Sequence, residues 1–200
     1  MQLYFICKST AKLNKSGILN VSTQWVDDDL DTLINVIEKV LSTADLLLIS
    51  GGVSVGDYDF VSAALNKAGA EKLFHNVKQK PGKPLYFGKK GKQLIFGLPG
   101  NPSSVLSCYY NYVLPSLKLL SKKENSIREI QAKLTNDYKK PAGLTHFLKG
   151  TYTAGKVTPL NAQESFRLRS FAQANCLICL AENQTEFNIG DQVTVLLIPN

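Results

Sequence analysis

No apolar run in this sequence approaches the roughly 20 residues that a membrane-spanning helix needs, so no such helix is expected. The opening stretch, Met1 to Cys7, is apolar but too short for a secretory signal and has no basic leader, which leads us to expect a cytoplasmic chain. Histidine is scarce: the chain has 2, His75 and His146, far apart in sequence. Cysteine is nearly as scarce, with 4 residues, Cys7, Cys108, Cys176 and Cys179. Only Cys176 and Cys179 lie close together, in an apolar run that reads as a buried strand whose alternation sends the two thiols to opposite faces. A zinc cage would need two more suitably spaced ligands, so these thiols read as core residues. Internal repeats and low-complexity stretches are lacking too, and the ordinary shares of charged residues, 20%, and aromatics, 9%, exclude disordered and fibrous classes.

What is present is an ordinary globular composition with a basic excess. Lys and Arg number 23 against 16 Asp and Glu, a formal charge of +7, and 44% of the residues are hydrophobic. That apolar share supports a sizeable core, and the charge favours an anionic partner: nucleic acid, an acidic membrane surface or a phosphorylated ligand.

Gln2 to Ser16 reads as weakly helical, and Leu19 to Trp25 as a strand. One of Asp27, Asp28 and Asp29 caps a helix through Leu41, with Leu30, Leu33, Ile34, Ile37 and Leu41 spaced for one buried face. Leu46 to Ile49 is a continuous apolar run, the pattern of a strand buried on both faces of a parallel sheet. Phe60 to Ala68 returns to helical spacing and stops at Gly69. The stretch from Lys72 to Phe96 is strand-like, broken at Lys80-Pro81-Gly82-Lys83-Pro84, and Gln93 to Phe96 reads as a second interior strand. Pro102, with Asn101 ahead of it as a cap, opens a long helix to about Leu120. The polar stretch 121–126 marks a domain boundary, giving residues 1–122 as a doubly wound α/β domain and 127–200 as a small β-barrel or sandwich. In the second part only Ser170 to Asn175 allows a helical turn.

In a doubly wound domain, ligands bind at the carboxyl ends of the strands, where loops meet helix starts. Two loops occupy that place. The first runs Ser50-Gly51-Gly52-Val53-Ser54-Val55-Gly56-Asp57-Tyr58-Asp59; its glycines let backbone approach a ligand, and its serines add hydroxyl donors. Gly51 to Gly56 has the spacing of a P-loop, but Asp57-Tyr58 stands where that motif needs Lys-Ser/Thr, so it is not an ATPase loop. Asp57 and Asp59 would repel a phosphate unless they hold a divalent cation such as Mg2+ that bridges to it; for Asp57, capping of the following helix is an equal reading. The second loop, Gly97-Leu98-Pro99-Gly100-Asn101-Pro102-Ser103-Ser104, offers another helix start with Ser and Asn donors. Between them lie Lys78, Lys80, Lys83, Lys89, Lys90 and Lys92. The last three read as a solvated hairpin tip, whereas Pro81 and Pro84 fix the backbone of Lys80 and Lys83, lowering the entropy cost of holding two ammoniums at one anion. The site expected from these residues binds a polyanion together with a divalent metal.

The three segments Gly51-Gly52-Val53-Ser54-Val55-Gly56-Asp57-Tyr58-Asp59, Lys80-Pro81-Gly82-Lys83-Pro84 and Gly97-Leu98-Pro99-Gly100-Asn101-Pro102-Ser103, standing in this order, closely resemble the molybdopterin molybdotransferases, the family of MoeA and the gephyrin E domain. Asp28-Asp29 and the stretch from Ser165 to Asn175 are similar to family segments as well, so the resemblance covers nearly the whole chain after Gly17. It implies a three-layer α/β domain related to molybdopterin adenylyltransferase, followed by an all-β barrel. It implies insertion of molybdate into adenylylated molybdopterin, with Mg2+ and release of AMP. Carried over residue by residue, Ser50, Gly51, Gly52, Val53, Ser54 and Gly56, with Pro99, Gly100, Asn101, Ser103 and Ser104, would hold the molybdopterin nucleotide. Asp59, Lys80 and Lys83 would be catalytic, Asp59 and Asp57 would bind the metal, and Lys149, Ser165 and Arg167 would reach the ligand from the barrel. The resemblance also implies a homodimer for the full-length family.

The sequence departs from the family at Asn76, where a basic residue is usual, and at Glu164 and Phe166 around Ser165. The family's N-terminal domains and the opening strand of its α/β domain are also not found, so a ligand-binding fragment with poor turnover is expected. A non-enzymatic pterin-binding or scaffold module is the alternative. Nucleic-acid binding, prompted by the charge and by Tyr86 and Phe87 among lysines, ranks third.

Overall fold

The computed structural model describes residues 2–6, 20–27, 29–51, 60–124, 127–161, 163 and 169–199. In chain order the elements are β1 (Gln2–Ile6), β2 (Asn20–Gln24), α1 (Leu30–Leu41), β3 (Leu46–Ser50), α2 (Phe60–Lys67), β4 (Glu71–His75), β5 (Gln79–Lys80), β6 (Tyr86–Lys90) and β7 (Gln93–Leu98). There follow α3 (Pro102–Cys108), a π-helical turn (Tyr109–Val113), α4 (Leu114–Leu120), β8 (Arg128–Leu134), β9 (Tyr138–Lys139), β10 (Thr145–Thr153), β11 (Lys156–Pro159), α5 (Arg169–Gln173), β12 (Cys176–Leu180), β13 (Glu186–Phe187) and β14 (Gln192–Leu197). They form two compact units, one of Met1–Val77 with Pro84–Gly100, the other of Lys78–Lys83 with Asn101–Asn200. Among the described residues no helix is long and apolar enough to cross a membrane.

The first unit is built on a six-stranded sheet in the order β2-β1-β3-β7-β6-β4. Strands β2, β1, β3 and β7 are parallel, and β6 runs antiparallel to both of its neighbours. The Leu46 to Ile49 run is the central strand expected, buried along its length and paired on both sides. Gln2–Ile6 corrects the helical reading of the opening segment. It is a strand between β2 and β3, so the sheet does open with a strand where one was expected to be lacking. Five residues carry little helical preference of their own, and two parallel partners decide the matter.

Asp29 caps α1 by accepting from the Thr32 amide at 2.8 Å, and hydrogen bonds from the Thr32 side chain first and then from this amide hold its carboxyl below the usual carboxylate range. Leu33, Ile37, Val40 and Leu41 bury one face of α1 in a core shared with Val61, Ala64 and Leu65 of α2 and with Leu47, Ile49, Tyr86 and Ile95 of the sheet. Ile37 is fully buried, so Ile37→Ala would cost about 2–5 kcal/mol. Helix α2 ends in a Schellman motif: Gly69 at φ +76° lets the Ala70 amide reach the Leu65 carbonyl at 2.9 Å. The β6–β7 hairpin turns at Gly91 and Lys92. There Lys89 pairs with Glu71 and Lys90 donates to the Ala68 carbonyl, so two of the three hairpin-tip lysines are engaged within the unit.

The second unit contains a closed barrel. Strand β8 pairs with β14, β14 with β12, β12 with β10, β10 with β11, and β11 returns to β8 in parallel. Of the barrel and sandwich left open by the sequence, the barrel is the one formed. Its interior is filled by Ala132, Leu134, Leu148, Val157, Cys176, Ile178, Leu180, Val193 and Val195. The β10–β11 hairpin turns through Ala154 and Gly155, both at positive φ, the type I′ geometry that suits the twist of the strands. Cys176 is buried and Cys179 is not, as alternation along β12 requires. Strand β5 adds to the edge of β10, with Gln79 opposite Thr145 and Lys80 opposite His146. The helical run that starts at Pro102 widens to a π turn just before Pro115. A proline there has no N–H to give the preceding turn, and the wider turn accommodates the loss.

Candidate functional site

In the first unit the described start of the first expected loop lies beside the first residues of the second. Ser50 ends β3 in register with Leu98 of β7, and the Gly51 amide donates to the Leu98 carbonyl at 3.3 Å. Gly51 is half-buried at φ +93°, a conformation glycine adopts without strain, and a Cβ there would meet nothing within 4 Å. A Cβ on Gly100 would come to 3.9 Å from the Gly51 Cα, so two glycine backbones face each other across the ends of adjacent parallel strands. Pro99 is buried and Gly100 exposed. The departure at Asn76 has a backbone reason: the residue sits at φ +73°, which asparagine tolerates better than most, and its buried Oδ1 has no hydrogen-bond partner among the described residues. Gly52, Val53, Ser54, Gly56, Asp57 and Asp59 lie outside the described residues. So the candidate metal carboxylates are outside as well, and among the described residues no three His, Cys, Asp or Glu side chains group as a metal site.

In the second unit, Asn101 caps α3 by accepting from the amides of Ser103 at 3.0 Å and Ser104 at 3.3 Å. The cap engages both amides, and Ser103 and Ser104 are themselves buried, 1% and 8% exposed.

Lys80 and Lys83 behave differently from their neighbours. Both are exposed, and neither ammonium has a carboxylate partner among the described residues, whereas Lys78 pairs with Glu182 at 3.0 Å and Lys139 with Glu186 at 2.8 Å. The backbone between the two lysines is held from within. Gln79, 2% exposed, donates from Nε2 to the carbonyls of Pro81 at 3.0 Å and Gly82 at 3.3 Å, and its amide approaches the Cys108 sulfur at 3.6 Å. Cys108 in turn donates to the Gly82 carbonyl at 3.7 Å, and the Tyr112 hydroxyl donates to Gln79 Oε1. Burial pushes the Cys108 thiol up to about 12, so it stays protonated and can donate. Tyr112 is pushed up to about 12 as well, first by burial and then by the nearby thiols of Cys108 and Cys179. The Lys80–Pro81 peptide is cis.

Lys149 is only 3% exposed, with its ammonium 5.4 Å over the Phe171 ring, which itself stacks on Tyr110. Gln163 clamps the Lys149 backbone, accepting from its amide at 3.0 Å and donating to its carbonyl at 2.8 Å. Ser165 and Arg167, with Glu164 and Phe166, lie outside the described residues. His146 is buried beside Lys140 and Lys80. Burial first and then these two ammoniums hold its imidazole below the usual range, and its Nε2 has no hydrogen-bond partner among the described residues.

Gln79, Tyr112, Gln163 and His146 are absent from the expected site residues. Each acts through partners distant in sequence. The one local signal was a glutamine directly ahead of Lys80 in a strand.

Residues 9–119 match the family model described as a probable molybdopterin binding domain, and residues 131–198 match that of the MoeA C-terminal region (domain IV). The chain is 35% identical over 179 residues to a molybdopterin molybdenumtransferase of Bacillus subtilis, covering 86% of this chain and 41% of that protein. It is 37% identical over 161 residues to one of Haemophilus influenzae, covering 77% of this chain and 40% of that protein. The chain thus spans about two fifths of the length of these relatives. Among solved structures, a molybdopterin biosynthesis MoeA protein from Pyrococcus horikosii superposes with a TM-score of 0.71 at 26% identity, covering 89% of this chain and 44% of that one. A molybdenum cofactor biosynthesis protein from Pyrococcus furiosus shares the fold with a TM-score of 0.78 at 21% identity, covering 98% and 68%. With a molybdopterin-binding domain over more than half its length and a MoeA domain IV after it, the chain belongs to the MoeA family.

Proposed function

We propose that this chain acts in molybdenum cofactor biosynthesis, binding adenylylated molybdopterin and molybdate as part of a molybdopterin molybdotransferase that inserts the metal oxyanion and releases AMP. The observation that carries the reading is the pair of exposed lysines, Lys80 and Lys83, without carboxylate partners among the described residues, on a loop whose backbone is held from inside by Gln79. A held loop loses less side-chain and backbone freedom when two ammoniums engage one anion, so more of the Coulomb attraction appears as affinity. The glycine backbones of Gly51 and Gly100 suit the close approach that a phosphate link requires, and the similarity to molybdopterin molybdenumtransferases supports the substrate class.

Finer parts of the reading follow from the resemblance. Asp59 and Asp57 would supply the oxygen ligands that Mg2+ prefers, and a bound Mg2+ would supply charge neutralisation at the phosphates. Ser165 and Arg167, with Lys149, would add contacts from the barrel, and the full-length protein would be a cytoplasmic homodimer. The break between the two family matches supports a domain boundary at 121–126.

Isothermal titration with AMP and with molybdate, followed by assay of molybdate-dependent AMP release from adenylylated molybdopterin, tests the reading. Binding with release supports the transferase. Binding without release assigns the chain to a non-enzymatic pterin-binding role, and no binding of either ligand removes the proposal.

A further inference from the structure

We infer that Gln79, held by Tyr112, is a positioning residue for the lysine loop, setting the backbone from which Lys80 and Lys83 reach an anion. The inference rests on the reading of those two lysines as anion-binding groups.

A buried carboxamide is costly unless its hydrogen bonds are made, and an apolar side chain would fill the same space without that cost. The Gln79 amide is therefore informative in where its bonds go. Its Nε2 reaches the carbonyls of Pro81 and Gly82, the two residues between the lysines. Pro81 has no N–H, so that peptide lacks a donor it could give to a neighbouring strand. Gln79 gives the two carbonyls a donor from the side.

The other end of the carboxamide is fixed by Tyr112, which lies in the π turn of the helical run beginning at Pro102. Cys108, one helical turn earlier on the same face, closes the arrangement with its contacts to Gln79 and Gly82. A Cβ on Gly82 would stand 2.5 Å from the Cys108 sulfur and 2.9 Å from Gln79 Nε2, so the loop lies flat against the helix at that point. On its other side β5 is pinned to β10, where the Thr145 amide donates to the Lys78 carbonyl at 2.9 Å. The loop is thus held between helix and barrel strand by side chains that leave both ammoniums outside.

The network has two separable consequences, packing and loop position. Gln79→Met alone strands the Tyr112 hydroxyl, and Tyr112→Phe alone strands Gln79 Oε1. The double variant Gln79→Met/Tyr112→Phe removes both polar partners together and restores an apolar contact, but it leaves the Pro81 and Gly82 carbonyls without their donor. The experiment measures three quantities on the whole chain: Tm, hydrogen exchange of the Gly82 and Lys83 amides by mass spectrometry, and affinity for AMP and molybdate. We expect Gln79→Met to speed exchange at those amides about tenfold, the loss of roughly one net hydrogen bond's worth of protection. We expect the double variant to recover Tm while the exchange stays fast and anion affinity stays weakened.

If the double variant recovers slow exchange along with Tm, or if Gln79→Met leaves exchange unchanged, Gln79 is a packing residue and the inference is overturned. If the unmodified chain binds neither AMP nor molybdate, the functional reading fails, and the exchange measurements alone decide whether Gln79 sets the loop.

Discussion

Tyr112 donates its phenolic hydrogen to the carboxamide oxygen of Gln79, a bond that spans 33 positions of sequence and joins the π turn of a helix to the loop carrying Lys80 and Lys83. The phenol is half-buried and its oxygen acceptor deeply so, which makes the loss of either partner expensive. Tyr112→Phe should lower unfolding free energy by about 1–3 kcal/mol, the cost of an unsatisfied buried acceptor, as measured by urea denaturation.

Gly82 should not tolerate a side chain. Its φ of +89° is strained for an L-residue, and the added Cβ would collide with the Cys108 sulfur at 2.5 Å. Gly82→Ala should cost about 1–3 kcal/mol from backbone strain alone, with more from the clash. Adding Cys108→Ala should recover only the sulfur's part of the clash, leaving the strain and the 2.9 Å approach to Gln79 Nε2. A double-mutant cycle by chemical denaturation separates the two parts, and full recovery would show that the backbone is not strained.

His146 ties stability to pH. Its imidazole titrates below the ordinary value of 6.5 in the folded chain, because of burial and then Lys140 and Lys80. Between those two pKa values the unfolded chain binds a proton that the folded one refuses, so stability is full above pH 6.5, falls as pH drops through it, and levels off below the folded value. His146→Leu should flatten this segment of the stability–pH curve. An unchanged curve for the variant would assign the effect elsewhere.

Asn111 offers a stabilising change. Both polar atoms of its carboxamide are buried in the π turn without hydrogen-bond partners among the described residues. Asn111→Leu should raise stability by about 1–3 kcal/mol by removing that desolvation cost, which thermal unfolding would show as a higher Tm.

These sites also mark the limit of what could be read from sequence. Leu46 to Ile49 was legible as a central strand because a continuous apolar run has one good home in a parallel sheet. Asp29 and Asn101 were legible as caps because capping is a local interaction over two or three residues. Lys80 and Lys83 stood out from other lysines by their flanking prolines, and the structure leaves their ammoniums without carboxylates among the described residues. Gln2–Ile6 was not legible, since two strands from later in the chain make it a strand. The burial of Ser103 and Ser104 was hidden for a related reason: serine after a cap is equally suited to face a ligand or the interior. Gln79 was invisible because, beside its local bonds to Pro81 and Gly82, the groups that bury and orient its carboxamide, Cys108 and Tyr112, stand 29 and 33 residues away.

The anion-binding role of the lysine pair is tested most directly by titrating molybdate and AMP into the chain and into Lys80→Ala/Lys83→Ala, at low and at physiological salt. The account predicts binding by the unmodified chain, weakened at least about tenfold (1.4 kcal/mol) by the double substitution, with a shallower salt dependence. Equal affinities in the two proteins, with equal salt slopes, would contradict it.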